Sequence, residues 1–282
     1  MAQAAVAQTR TSIRTDFERD GYFAPLDVIS ADEAMANRGE LERLESQIIG
    51  QRLGNKGQLS QAHTIFRFAN NLVRNPTILD AVEELIGPDI LVWGSTFFTK
   101  EAQSPSYVSW HQDLRYWGLS SDDLVSVWIA LGPAKREHGC MRFVPGSHKF
   151  DMLEHRDTFD GANFLTRGQE AVIDISEDET VLVELEAGQA SMHHGRLLHS
   201  SGPNQADQRR VGFVVNYLAP SMHQVVASED FAMLVRGQDN HGHFISVPGP
   251  QDDLTPEALA WHRRIVGTQN TAIYDGAPVS ET

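Results

Sequence analysis

The chain has 282 residues, a formal net charge of −15, 41% hydrophobic residues and a single cysteine. That length carries a sizeable core, and no composition break marks a linker, so one catalytic domain over 11–267 is expected, with 1–10 and 268–282 as flexible tails. The acidic balance excludes a nonspecific duplex-binding surface, and the lone Cys140 excludes a disulfide framework or a cysteine-rich zinc site. With no signal-like start and no apolar run of membrane length, a cytoplasmic protein acting on a small molecule is expected, with no nucleic-acid or membrane partner. The oligomeric state is left open, a homodimer included.

Along the chain, Thr15-x-x-Glu18 predicts a cap for a short helix through Asp20, released at Gly21. Ser30-x-x-Glu33 predicts a longer helix to about Ile49, with Met35, Leu41, Leu44 and Ile48 as its apolar stripe. Gly50 to Ser60 reads as a loop. Asn75-Pro76 supplies an N-cap and an N1 proline for a helix through Ile86, stopped by Gly87-Pro88. The period then changes. Ile90 to Thr99, Tyr107 to His111, and Leu124 to Leu131 carry the β-branched and aromatic content of strands.

Gly139 to His148 reads as a short strand entering a tight turn. Lys149 to Glu179 is a long connection with room for short helices, of a length that suits covering a pocket. Strands follow at Thr180–Glu186, Ala190–His194 and Arg210–Leu218, and Thr255-Pro256-Glu257 opens a terminal helix reaching Ile265. Helices first and many short strands after predict a mainly β fold with supporting helices, a double-stranded β-helix of the jelly-roll, cupin-like form.

The chemistry centres on Trp110-His111-Gln112-Asp113. Side chains at i and i+2 of an extended run share a face, so His111 and Asp113 can reach one ion. His199, in a second cluster through Asn204, is the third ligand of the set, leaving three positions of an octahedral iron open. Zinc accepts the same donors, and the accompanying cation decides between them. Arg210, eleven positions on, suits a distal carboxylate, as a dicarboxylate cosubstrate requires.

Trp110–Asp113, Val127–Leu131, Gly139–His148, His199–Asn204 through Arg210, and the early Phe17-Glu18-Arg19-Asp20-Gly21-Tyr22 together resemble the phytanoyl-CoA dioxygenase family of iron(II)- and 2-oxoglutarate-dependent oxygenases. The likeness runs from about Phe17 to Leu218. It implies that His111, Asp113 and His199 hold iron, that Arg210 pairs with 2-oxoglutarate, and that dioxygen is the second cosubstrate. The implied reaction hydroxylates an aliphatic C–H bond of a small organic or natural-product substrate, with release of succinate and carbon dioxide. Related halogenases replace the carboxylate ligand by a small residue; Asp113 is retained here, which favours hydroxylation. Desaturation or ring closure by the same machinery, and a nonenzymatic jelly-roll binding module, are the alternatives.

Other residues carry narrower expectations. Trp128 is expected to flank 2-oxoglutarate or fill core, and Tyr116 and Trp117 to wall the substrate. Gln112 should point away from its neighbours into a supporting role. Arg209 and Arg210 should face opposite ways, as should His193 and His194, one of which is an alternative third ligand. Ser201 and Asn204 are expected to shape a turn, His148 to sit in a structural turn, and His241-Gly242-His243 to lie at the surface.

Overall fold

The computed structural model describes residues 12–48, 53 and 58–274. The predicted start of the chain, most of the glycine-rich loop and the last eight positions lie outside the described residues.

Helix α1 (Ile13–Asp20) is capped by Ser12, whose side chain accepts from Thr15 N, and not by Thr15 itself. Gly21 closes it at φ 82°, a left-handed conformation that glycine takes without steric cost. Strand β1 (Tyr22–Asp27) follows, then α2 (Ala31–Glu45) with the predicted Ser30/Glu33 capping box in place. Its buried side chains are Ala34, Leu41 and Leu44, while Met35 faces solvent. After β2 (Gln58–Ser60) come α3 (Arg67–Leu72) and α4 (Pro76–Ile86), the latter capped by Asn75 as expected.

The remaining elements are β3 (Ile90–Lys100), β4 (Val108–His111), β5 (Leu124–Ala130), β6 (Met141–Phe143), β7 (His155–Asp157), β8 (Gln169–Ala171), β9 (Val181–Val183), β10 (Gln189–His194), β11 (His199–Ser201), β12 (Arg210–Leu218), β13 (Phe231–Arg236), β14 (Ile245–Ser246) and α5 (Pro256–Ile273). The result is a mixed α/β fold. Among the described residues, one eight-stranded sheet runs β1-β10-β5-β12-β3-β13-β14, with β2 also on β3, and a four-stranded sheet runs β4-β11-β6-β9. No ladder joins these two sheets into a closed barrel among the described residues.

Alternation along the large sheet sorts core from site. Val125, Val127 and Ile129 of β5, with Val211, Phe213, Val215 and Tyr217 of β12, share one core with Ile78, Leu79 and Val82 of α4. The opposite face carries Trp128, His193, Arg210, Val214 and Asn216, which line a cavity together with Val108, Met141 and His199 from the small sheet.

Two sequence expectations change. The Lys149–Glu179 connection holds the β7–β8 hairpin and a single 3₁₀ turn at Glu177–Glu179, and it covers the cavity through Leu165 and Thr166. The terminal helix continues through Gly267 to Ile273, so the chain beyond 267 is not a tail up to that point. Burial of Ile265, Gln269 and Ala272 explains this, since an internal glycine costs only about 1 kcal/mol.

Candidate metal centre and cavity

β4 ends at His111, and Gln112 stays extended (φ −118°, ψ 121°) before Asp113 starts a 3₁₀ turn. His111 and Asp113 therefore share a face, while Gln112 turns into the protein. Gln112 Nε2 donates to Arg196 O, and its Oε1 accepts from Leu153 N. His199 is the register partner of His111 across the β4–β11 pair, and their ring centroids lie 4.1 Å apart.

The tautomers follow from what each ring touches. His111 Nδ1 lies 2.9 Å from Ser109 O and His199 Nδ1 2.9 Å from Leu197 O. A carbonyl only accepts, so both Nδ1 atoms hold the proton and both Nε2 lone pairs are free. These point at Asp113 Oδ1, at 3.2 Å from His111 and 3.8 Å from His199. The three ligand atoms lie within 4.8 Å of one another, two imidazoles and one carboxylate converging on one point.

Protonation suits a cation. Burial, then His111, push the His199 imidazole down to about 3. Burial opposes the charged form of Asp113, yet the surrounding imidazoles hold its carboxyl well below the ordinary range. Neutral imidazoles beside a carboxylate are what a divalent ion needs at neutral pH. The borderline nitrogen donors with one oxygen suit iron(II), with three positions left for other ligands.

On the same cavity, Arg210 is buried, with its guanidinium 5.4 Å from the Trp128 ring centroid. Nη1 donates to Gly139 O and Ser201 Oγ, and Nε has no partner. Burial lowers its pKa to about 10, which leaves it charged. Arg209 points the other way, into ion pairs with Glu45 and Glu101.

Lys100, which sequence reasoning missed, is the register partner of Arg210 on β3 and is fully buried. Its Nζ donates to Ser201 O, Ser201 Oγ and Gly202 O, and burial followed by Arg210 pushes its pKa down to about 5. Among the described residues neither Lys100 nor Arg210 has a carboxylate in ion-pair contact, so the charged Arg210 is free to receive an anion from outside. Only the cross-strand register reveals this, because Lys100 and Arg210 are far apart in sequence.

The cavity encloses about 400 Å³, within the range of small-molecule sites. Trp128 and Trp117 line it, and Trp117 packs on Trp93 at 5.1 Å. Tyr116 does not reach the wall; its ring abuts His155 at 5.5 Å and the Arg167 guanidinium at 5.6 Å. It is the last residue of the 3₁₀ turn that begins at Asp113.

Two further wall elements were not foreseen. Gln61 (φ 54°) and Gln269 of α5 hydrogen-bond each other, and both donate to Trp93 O. Val266, Ile273 and Tyr274 complete the helical wall. Ser201 sits between Lys100 and Arg210, whereas Asn204 is a turn residue, donating to Lys100 O, Glu101 O and Gln208 O. His148 is held in its turn against Glu18 O, and His241 and His243 are exposed.

The sequence model described as "Phytanoyl-CoA dioxygenase (PhyH)" matches residues 17–212. The chain belongs to the phytanoyl-CoA dioxygenase family. A solved "non-heme monooxygenase; ThoJ apo" is similar at 34% identity and TM-score 0.84, covering 93% of this chain and 98% of that one. A nickel complex of ThoJ matches at 30% identity and TM-score 0.78, over 93% and 99% of the respective chains. A "Probable alpha-ketoglutarate-dependent hypophosphite dioxygenase" of Stutzerimonas stutzeri is 30% identical over 57% of this chain and 57% of its own length. The chain thus spans little more than half of that relative. As a member of this family it has a metal site and a buried cation that fit iron(II) and 2-oxoglutarate. No helix among the described residues is long and apolar enough to cross a membrane.

Proposed function

We propose that this chain is an iron(II)- and 2-oxoglutarate-dependent oxygenase that hydroxylates an aliphatic C–H bond of a small organic molecule, with release of succinate and carbon dioxide. The observation that carries the reading is the convergence of His111 Nε2, His199 Nε2 and Asp113 Oδ1 on the cavity that also holds Arg210. In this reading His111, Asp113 and His199 hold the metal, and Arg210 receives the far carboxylate of 2-oxoglutarate with Trp128 alongside. The two main sheets are the faces of a double-stranded β-helix in a single catalytic domain.

Bound iron with 2-oxoglutarate supplies the oxidising chemistry for a C–H bond. The protein's part is placement. Trp117 and the α5 wall hold the substrate at a distance from the metal that selects one bond. Asp113 supplies the carboxylate donor, which favours hydroxylation over halogenation.

The test loads the protein with iron(II) anaerobically, admits labelled dioxygen with 2-oxoglutarate and a metabolite pool, and follows succinate and product mass. Gain of one labelled oxygen supports hydroxylation, and loss of two hydrogens points to desaturation or ring closure. Undiminished coupled turnover in both Asp113→Ala and Arg210→Ala would reject the assignment.

A further inference from the structure

His193 lies on the inner face of β10 and is 2% exposed, yet neither ring nitrogen has a hydrogen-bond partner among the described residues. An imidazole buried in this way loses its hydration with no return, and native proteins rarely leave both nitrogens orphaned. The ring stands 4.7 Å from that of His199 and 5.5 Å from that of Phe143, centroid to centroid. Its Nε2 faces Asp113 Oδ2 at 3.6 Å, just beyond hydrogen-bond length.

The two oxygens of Asp113 are thereby divided. Oδ1 faces the Nε2 atoms of His111 and His199, and Oδ2 faces His193. From this division we infer that His193 is a positioning residue for Asp113. Its Nε2–H donates to Oδ2 and leaves Oδ1 as the one oxygen offered to a metal. A carboxylate free to swing would bring both oxygens to the ion and take up a position that a cosubstrate needs. The backbone suits the task, since His193 pairs with Tyr22 on β1 and Ser126 on β5, in the interior of the large sheet. His194 points to the opposite face, against His148 at 5.4 Å, so the adjacent histidine cannot take this role.

The inference rests on the proposed ligand set, and the experiment separates the two. Cobalt(II) is titrated into the unmutated protein and into His193→Phe, His193→Gln and Asp113→Ala, with affinity read from its visible absorption. Phenylalanine keeps the packing and removes the N–H, whereas glutamine places an amide N–H near the same point. Affinity about 10- to 100-fold weaker in His193→Phe, recovered in large part by His193→Gln, is the expected result. Unchanged affinity in His193→Phe, or equal loss in both variants, overturns the inference. Cobalt binding that survives Asp113→Ala overturns the ligand set itself, and the inference with it.

A second readout needs no variant that must fold. With zinc(II) bound, the unmutated protein labelled with ¹⁵N in its histidines should show a slowly exchanging Nε2–H for His193, and its absence would also overturn the inference.

Discussion

The indole of Trp128 occupies the space that a β-carbon on Gly212 would need: the added atom would stand 1.9 Å from Cζ2 and 2.2 Å from Cε2. Gly212 and Arg210 share a face of β12, and Trp128 lies over both. Gly212→Ala should therefore push the indole off the guanidinium. Overpacking of this kind costs about 1–3 kcal/mol, read by denaturant unfolding. The Michaelis constant for 2-oxoglutarate should rise with it. Wild-type stability and affinity together would show that the indole has room to move.

Replacing Arg210 by Lys keeps a positive charge but loses the planar fork. Hydrogen bonds to a charged group contribute about 1.5–3 kcal/mol, so 2-oxoglutarate should bind roughly ten- to a hundredfold more weakly in Arg210→Lys, and more weakly still in Arg210→Met. Equilibrium dialysis with labelled 2-oxoglutarate and iron(II) under nitrogen measures this without turnover. Equal affinity in all three proteins would move the anion site elsewhere.

Lys100 makes a separate prediction. With its pKa near 5 it is neutral at pH 7 in the free protein, and a carboxylate arriving beside Arg210 raises it again. Binding of 2-oxoglutarate at pH 7 should then take up protons, seen as a dependence of the calorimetric heat on buffer ionisation enthalpy. Lys100→Met should remove that uptake. The same proton count in both proteins would mean that Lys100 serves the β11–β12 turn alone.

His63 is fully enclosed, its Nδ1 2.8 Å from Ser95 Oγ, and burial lowers its pKa to about 3. Below its ordinary value near 6.5 the unfolded chain binds a proton that the folded chain refuses. Its share of stability is complete above pH 6.5 and is lost as the pH falls toward 3. Across that window the slope of unfolding free energy should flatten by up to about 1.4 kcal/mol per pH unit in His63→Gln. Parallel slopes in denaturant titrations would show that His63 is protonated in the folded state.

Apart from His199 and Arg210, which stand in motifs that resemble the family, the features legible in the sequence are local ones. Ser30, Asn75 and Thr255 cap helices through atoms two or three residues away, and the i, i+2 spacing of His111 and Asp113 survives because Gln112 stays extended. The strand content of β3, β5 and β12 shows directly in their β-branched and aromatic residues. What escaped depends on distant partners. The Lys100–Arg210 register and the Gln61–Gln269 bond each join segments more than a hundred residues apart. Tyr116 lies in the 3₁₀ turn after the metal motif, where neither strand nor helix periodicity tells the sequence reader which way a side chain points.

The α5 wall has a consequence for how such an oxygenase diversifies. Every side chain proposed to hold iron or 2-oxoglutarate falls within the stretch the family shares, 17–212, whereas Val266, Gln269, Ile273 and Tyr274 lie beyond it. Part of the wall that would meet a substrate is thus encoded apart from the proposed oxidising centre, while Trp117 lies within the shared stretch. Exchanging the terminal helix between such enzymes is a route to new guests that leaves the oxidising centre untouched.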